Sequence, residues 1–352
     1  MAIWTEPMRQ TFEYYIVDPG TWRDKTKLTN IRSCNIQRDT TVDTLGSATI
    51  DTDGDLEECY VRIYLVTNQN GVEEKHPLGT YMVQSPSTSF DGTKTSGTMD
   101  AYTPLIELKE KPTPLGYSIL KDENILNEAY LIMRENMRAP VVKTECDKTL
   151  HKDFVTNSDE KWINFIQALI SNADYYLDLD ELGRVLFAPK QETDSLQPVW
   201  TYSDDNTSIL YPDITTSRDL YNIPNVVEVI YSSGSDYFYS KVINDDPNSP
   251  ISTVKRGRNI THRVVNPSFS GAPSQYQIDE YAKELLKELS TVEYSVSYTH
   301  GYCPVRLGDC VRFDHKSAKL VNIKARVISQ SIKCEAGCSV SEKAVFTKKL
   351  WG

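Results

Sequence analysis

The sequence predicts a β-rich α+β protein with three parts: a β module, a small helix-plus-hairpin domain, and a second β module that carries a helix-bearing insertion. Short runs of β-branched and aromatic residues, with turn residues between them, fill residues 1–112. Apolar residues at helical spacing appear first at 124–137, and a β-branched run at 220–231 opens a further set of strands. At 352 residues the chain is long enough for two to four domains.

Residues 1–112 are predicted to form a small barrel or sandwich of about six strands without a helix. The pattern is strongest at Tyr60–Val66, where aromatic and β-branched residues are dense. Turn residues at Asp18–Gly20 and Asn68–Gly71 separate strands. The other predicted strands are Phe12–Val17, Cys34–Asp39, Ser47–Asp51, Thr80–Val83 and Ser96–Tyr102.

Residues 113–203 are predicted to form a small α/β domain after a proline-containing linker at Lys109–Leu115. A first helix covers Asn124–Met137 and cannot continue far because Pro140 follows. A second helix ends near Asn172.

The start of that second helix is predicted at Asn157, which with Glu160 resembles a capping box. The aromatic stripe of this helix could line a ligand groove, but it is more typical of core packing. Tyr175–Leu179 and Arg184–Phe187 then form a hairpin.

The second β module is predicted at 204–245 and 300–352, and it begins with a hairpin. Pro224 excludes a helix just before the β-branched run Val226–Ile230, which is predicted to be a strand buried on much of its surface. The partner strand Tyr237–Ile243 follows a five-residue loop at Ser232–Asp236.

The insertion is predicted at 246–299 and contains the clearest helix in the chain. Ser274 and Gln277 form a capping-box pattern, and apolar residues then recur at helical spacing up to Leu289. Strands return at Val292–Tyr298, Asp309–Phe313, Lys324–Ile332 and Phe346–Trp351.

The composition is that of a soluble folded protein, with 39% hydrophobic and 25% charged residues. The net charge is −11, and residues 301–352 hold ten Lys and Arg against four Asp and Glu, which leaves −17 on residues 1–300. Such an acidic surface repels nucleic acids and anionic membranes. No run approaches the ~18–20 apolar residues of a membrane span, and Met1–Glu6 lacks the order of a secretory signal.

The seven cysteines are odd in number and scattered, which favours a reducing compartment over a disulfide framework. Cys303, Cys310, Cys334 and Cys338 leave a zinc site open, although the paired CxxC spacing is missing and burial as small apolar residues is the plainer interpretation. The Asp51–Asp55 segment is not a calcium loop, because Arg62 stands where the bidentate Glu is needed.

No catalytic, cofactor-binding or metal-binding residues can be selected. The five histidines lie far apart, and HExxH, GxSxG and Gly-rich phosphate loops are all missing. With 49 carboxylates, no local context selects a glycosidase-like pair. The sequence therefore predicts a protein that is not an enzyme and needs no cofactor.

The order of the modules resembles the baseplate hub of contractile phage tails, of related prophage tails and of phage-tail-like bacteriocins. The segments that carry the resemblance span nearly the whole chain: Gly79–Pro86 with Phe90–Gly92, Asp174–Pro189, Leu220–Val229, Asn244–Pro250, Tyr281–Leu286 and Pro304–Val311.

The resemblance implies two similar small β-barrel modules per subunit, which in a homotrimer form a six-module, pseudo-hexameric ring. It implies a hub that joins the hexameric tail tube, or a tube-initiator protein, to the trimeric central spike, with tape measure and baseplate wedge proteins as further candidate partners. The resemblance places the protein in the virion or in a phage-tail-like particle, which is assembled in the host bacterial cytoplasm. DNA would pass through the channel without being bound, so the channel wall should be acidic or neutral and the basic C-terminal residues should lie at contacts.

Two alternatives remain open. The 21 tyrosines and 5 tryptophans could stack on sugars in a glycan-binding tail protein. A tail-associated cell-wall hydrolase is the third hypothesis, although the chain shows no lysin or peptidase segment.

Overall fold

The computed structural model describes residues 2–233, 236–269 and 272–352, with the side chains of residues 85 and 86 excepted. Strands take up 47% of the residues and helices 14%, which confirms a β-rich protein with few helices. The described strands form open sheet paths, so the two-barrel arrangement stays a prediction. The chain divides into a large unit, Met1–Ile214 with Ser297–Ala344, and a small unit, Thr215–Val296 with Val345–Gly352. The four-part domain division also stays a prediction.

The first seven strands of the large unit are antiparallel and come from the β-branched and aromatic runs of residues 1–102. Their order in the sheet is β3-β4-β7-β6-β5-β1-β2. The elements are β1 (Arg9–Val17), β2 (Asp24–Leu28), β3 (Ile31–Asp39), β4 (Gly46–Asp53), β5 (Tyr60–Gln69), β6 (Val72–Phe90), β7 (Thr95–Tyr102) and the short helix α1 (Ile106–Glu110).

Helix α1 corrects the prediction that residues 1–112 contain no helix. It has only five residues, too few for a helical period to show in the sequence. Its buried Glu107 accepts hydrogen bonds from Tyr60 Oη at 2.8 Å and from the Arg138 backbone at 2.6 Å, so tertiary contacts hold the turn. Strand β6 runs through Pro77 because its register with β5 shifts there, and a bulge needs no donor.

The middle of the large unit contains the two predicted helices and the predicted hairpin. The elements are β8 (Ser118–Ile119), α2 (Ile125–Asn136), β9 (Phe154–Val155), α3 (Trp162–Ser171), β10 (Tyr175–Leu179) and β11 (Val185–Pro189), followed by a 3-10 turn at Thr193–Ser195. Asn124, the predicted first residue of the helix, caps α2 by accepting a hydrogen bond from Asn127 N.

The predicted capping box of α3 is wrong. Asn157 N does donate to the Glu160 carboxylate at 2.8 Å, but the helix begins only at Trp162. Thr113 N donates to Glu160 O and Trp162 N donates to Lys111 O, so residues 160–162 are held extended against residues 111–113. Because of this pairing between distant residues, the helix begins later in the chain than the sequence predicts.

The later strands join the first sheet. β19 pairs antiparallel with β3, and β18 pairs with both β19 and β12. Ile332, Cys334 and Val340 consequently share one buried core with Ile36 and Ile50. The elements are β12 (Trp200–Ser203), β13 (Leu210–Arg218), β14 (Val226–Ser233), β15 (Asp236–Ile243), α4 (Thr253–Arg256), β16 (Thr261–Val265), α5 (Gln275–Leu289), β17 (Thr291–Gly301), β18 (Cys310–His315), β19 (Leu320–Lys333) and β20 (Ser339–Lys349).

The turn of the β10–β11 hairpin is fastened to the first strands of the large unit through one carbonyl oxygen. Leu182 O accepts hydrogen bonds from Trp22 Nε1 at 2.8 Å, Thr80 Oγ1 at 2.9 Å and Arg62 Nη2 at 3.2 Å. The next residue, Gly183, has φ +75°, and a Cβ there would lie 2.7 Å from the Thr80 Cβ. Glycine is therefore required at this close approach.

The small unit packs a three-stranded sheet against one helix. β14 lies between β15 and β16, and Val227 and Val229 face the buried side of α5. Helix α5 begins with the predicted capping box of Ser274 and Gln277.

Two details of the hairpin prediction are corrected. The hairpin shares its core with the insertion helix instead of pairing, in the described ranges, with strands of the second β module. Ser233 pairs with Asp236, so the connection is shorter than the predicted five-residue loop, whose residues 234 and 235 lie outside the described part.

Candidate assembly surfaces

The large unit contains one buried cluster of titratable groups. His300 and Glu342 are both fully buried, with His300 Nε2 at 3.3 Å from the Glu342 carboxylate. The carboxylate also accepts hydrogen bonds from Tyr202, Tyr298 and Gln330, and Cys303 Sγ lies 3.8 Å from His300 Nδ1. Cys303, His300 and Glu342 thus stand in the order of a nucleophile, a base and an orienting acid.

The hydrogen bonds of His300 favour a structural ion pair over that catalytic role. Nδ1 lies 2.6 Å from the carbonyl oxygen of Gly301, so it donates, and Nε2 lies 3.3 Å from the Glu342 carboxylate and 3.1 Å from Tyr202 Oη. An imidazole that donates from both nitrogens is an imidazolium and has no lone pair to accept the proton of Cys303. Burial lowers the pKa of His300, but its hydrogen bonds and the charge of Glu342 raise it to about 10. The cluster is a structural ion pair.

The cysteines do not form the open zinc site. Among the described residues no three His, Cys, Asp or Glu side chains are arranged to hold a metal ion. Cys303 contacts His300, and Cys310 Sγ lies near Thr193 O. A hydrogen bond to Cys34 and burial hold the pKa of Cys334 well above its usual range, which keeps this thiol neutral.

A cleft of ≈ 500 Å³, here called the basic cleft, opens in the large unit. The loop at 40–45 forms one wall, and residues of α3, β10 and β19 form the others. Its volume falls within the ~300–1,000 Å³ of common binding clefts. Its cations are Lys190 and Arg326.

Within the described ranges these two cations have no ion-pair partner, whereas the carboxylates of the cleft do. Asp43 pairs with Lys109 at 3.5 Å, and Asp178 pairs with Arg306 at 3.2 Å. Lys190 Nζ donates only to Ser171 Oγ at 2.9 Å. Arg326 donates from Nη2 to the Gln191 carbonyl, and its Nε is buried without an acceptor. The cleft therefore offers uncompensated positive charge.

The same face of β19 also holds the segment that follows the β10–β11 hairpin. Lys324 Nζ donates to the carbonyls of Asp194 at 2.9 Å and Leu196 at 2.8 Å. Arg312 lies opposite Lys324 on β18, and its Nε is also buried without an acceptor. In the described part of the chain, backbone carbonyls accept hydrogen bonds from Lys324 and Arg326. No carboxylate there lies within ion-pair distance of these two residues or of Arg312.

An acidic loop, residues 54–59, connects β4 to β5. Asp55, Glu57 and Glu58 are exposed, and none of them has an ion pair in the described structure. Leu56 between them is buried in the core of the large unit, which anchors the loop. The loop and the basic cleft lie at opposite ends of β4, because Leu45 at its start lines the cleft and Asp53 at its end enters the loop.

The outer face of the small-unit sheet is polar at its centre and apolar at one end. Glu228 on β14 lies between Lys241 and Arg263 and pairs with both, at 3.4 and 2.7 Å. The hydrogen bond from Arg263 lowers the pKa of Glu228. Tyr239 and Val265, beside this row, are exposed.

Exposed apolar side chains also gather in the large unit where β8 pairs with β9. Leu115 is 86% exposed, and Leu120 and Val155 are exposed close by along the paired strands. Contiguous exposed apolar surface is typical of protein contact sites.

Four of the five tryptophans pack within the structure. Trp22 packs on Tyr60, Trp162 packs on Tyr117, and Trp4 packs edge-on against Tyr302. Trp351 packs against the core of the small unit. The exposed aromatic residues of the described ranges are tyrosines, with Tyr237 at 64% among them, and Phe90 at 68%. In the described part no helix has the length and apolarity needed to span a membrane.

Comparison with known proteins finds likeness in structure and none in sequence. No protein-family model matches the chain, and no curated protein matches it significantly. A tail protein from Neisseria meningitidis MC58 superposes with a TM-score of 0.60 at 12% identity, over 96% of each chain. The 43 kDa tail protein of prophage MuSo2 from Shewanella oneidensis gives 0.60 at 8% identity, over 95% of this chain and 98% of that one. The chain has the fold of phage tail proteins, which confirms the resemblance.

Proposed function

We propose that this chain is the structural hub of a contractile-tail baseplate. Three copies form a ring of six β modules that joins the hexameric tail tube to the trimeric spike and encloses a channel. The observation that carries the proposal is the superposition with two tail proteins over nearly the full length of all three chains. A ring of this kind works by shape and contacts, so the chain needs no catalytic residues and no cofactor.

Three surface features support an assembly role. Exposed apolar residues at Leu115, Leu120 and Val155 provide contact area that a monomer leaves in water. Uncompensated positive and negative charges lie on separate surfaces, the basic cleft and the acidic loop. The net charge of −11 suits a channel through which DNA passes without being held.

Mass measurement on the purified full chain tests the proposal. We expect light scattering to give three times the 40.0 kDa of the chain, and negative-stain images to show three-fold rings that bind tube protein on one face. A chain that stays monomeric at all concentrations, with and without tube and spike proteins, would contradict it.

Glycan binding is the second candidate, because Tyr237 and Tyr239 are exposed on one sheet face of the small unit. Stacking on sugars needs such exposed rings. In that case Tyr237→Ala with Tyr239→Ala abolishes binding to host wall polysaccharide, while the buried-face variant Phe238→Leu retains it. Absence of wall binding in the unmodified chain removes this candidate.

Wall hydrolysis is tested separately by zymography. The hub proposal expects no clearing of cell walls by the full chain. Clearing that a single carboxylate substitution abolishes would establish a hydrolase instead.

A further inference from the structure

We propose that the basic cleft is one half of the contact between neighbouring subunits, and that its occupant is the acidic loop of a second copy of this chain. The inference rests on the proposed trimer. Subunits in a three-fold ring contact one another head to tail, so each interface joins two different patches of the same chain. The basic cleft and the acidic loop have the opposite charges and opposite shapes that such an interface requires.

The charges favour this pairing. Lys190 and Arg326 form no ion pair with a carboxylate among the described residues, whereas Asp43 and Asp178 are already paired. The loop brings three exposed carboxylates, those of Asp55, Glu57 and Glu58, which form no ion pair with the described residues. The Arg326 guanidinium donates only to a backbone carbonyl among the described residues, and a bond between two charged groups is stronger than one to a carbonyl.

The placement of the two patches also favours a contact between copies. They lie at opposite ends of β4, whose eight residues span roughly 26 Å at about 3.3 Å per residue. The loop of a chain therefore cannot reach its own cleft. A head-to-tail neighbour presents its loop to the cleft, and closure after three subunits satisfies all clefts at once.

The loop is built to enter a cleft without first becoming ordered. Leu56 anchors its centre in the hydrophobic core while the residues on either side point to solvent. An occupant that is already ordered in the free subunit loses little conformational entropy on docking. The apolar lining at Val42, Tyr175 and Leu307 can receive the methylene groups of the Glu side chains.

Charge reversal in the full chain tests the proposal, with trimer association followed by analytical ultracentrifugation. Lys190→Glu and Glu57→Lys should each weaken association roughly tenfold or more, because each places like charges across the interface. The double variant should restore association to about the unmodified level. Lys343→Glu, an exposed lysine on β20, is the matched control and should change nothing.

The outcomes separate this inference from the proposed function. A trimer whose association is unchanged in both single variants overturns the cleft–loop contact and leaves the hub proposal intact. Single variants that weaken the trimer without rescue in the double variant also overturn the pairing. An unmodified chain that never trimerises overturns the hub and this contact together. Thermal unfolding of each variant verifies its fold, and Lys190→Gln with Glu57→Gln repeats the test if a reversal fails to fold.

Discussion

At the scale of single residues, the least foreseeable feature is the ion pair of His300 and Glu342. The sequence shows five scattered histidines, and nothing near His300 indicates a partner 42 positions away. The pairing arises because the strands that carry Tyr202, Tyr298 and Gln330 bring their side chains around one carboxylate. A buried charge of this kind is tolerated only when every partner is in place.

The pair should make the free energy of unfolding depend on pH. The pKa of His300 is raised from 6.5 in the unfolded chain to about 10 in the fold, so its stabilisation is complete below pH 6.5 and lost as the pH rises towards 10. Glu342 has a lowered pKa, so its contribution is present above pH 4.5 and lost in acid below that value. Urea unfolding at pH 6, 8 and 9.5 measures the decline.

His300→Gln should flatten this pH dependence and cost about 3–5 kcal/mol at pH 6, because Glu342 is left buried without its cation. If the variant does not fold, NMR of the His300 ring in the unmodified protein tests whether the ring is charged. A His300 ring that is already neutral at pH 8 contradicts the assignment.

At the scale of elements, prediction succeeds where local pattern and tertiary contacts agree. The capping residues Asn124 and Ser274 begin helices as their sequence contexts indicate. Prediction fails at Asn157, because the local hydrogen bond to Glu160 forms but pairing with residues 111–113 holds the backbone extended. Local sequence does not encode that distant contact, and the same holds for the contacts that stabilise α1.

The hairpin gives a prediction at this scale. Val229 is fully buried against α5, so Val229→Asp should prevent the small unit from folding, since an unpaired buried carboxylate costs several kcal/mol. Ile230 was predicted to be equally buried, but it is only half-buried on the opposite face, across from Tyr239. Ile230→Asp is therefore the matched control and should cost much less.

Hydrogen exchange of the α5 amides measures both hairpin variants. Protection that is lost in Val229→Asp and retained in Ile230→Asp is the expected result. Equal protection in both would show that the face of β14 has been assigned wrongly.

At the scale of the whole molecule, charge is the property that the sequence predicts best. The acidic balance of residues 1–300 follows from counting charged residues, which requires no knowledge of the fold. The way in which distant segments group together cannot be obtained by counting. Whether the β14–β15 hairpin packs with β18 and β19 or with α5 depends on which apolar faces meet. No candidate site was predicted, because the basic cleft gathers residues from 40 to 328, each unremarkable in its own neighbourhood.

The proposed ring, if it forms, should not retain DNA. If the channel wall is acidic or neutral, duplex DNA of any sequence should show no gel shift with the trimer even at ~50 mM salt, where phosphate contacts are strongest. A known basic DNA-binding protein serves as the positive control. A shift that disappears steeply with added salt would mean that Lys and Arg line the channel.

The fastening at Leu182 bears on how such a fold persists while its sequence drifts. Three donors converge there on a backbone oxygen, and backbone oxygens at residues 191, 194 and 196 likewise accept from Arg326 and Lys324. Every residue type has a backbone carbonyl oxygen, so a substitution at the accepting residue leaves the acceptor of each such hydrogen bond in place. Descendants can exchange the side chain at 182 freely while Gly183 stays fixed. Two chains can then share an architecture at 8–12% identity and leave sequence comparison with little to detect.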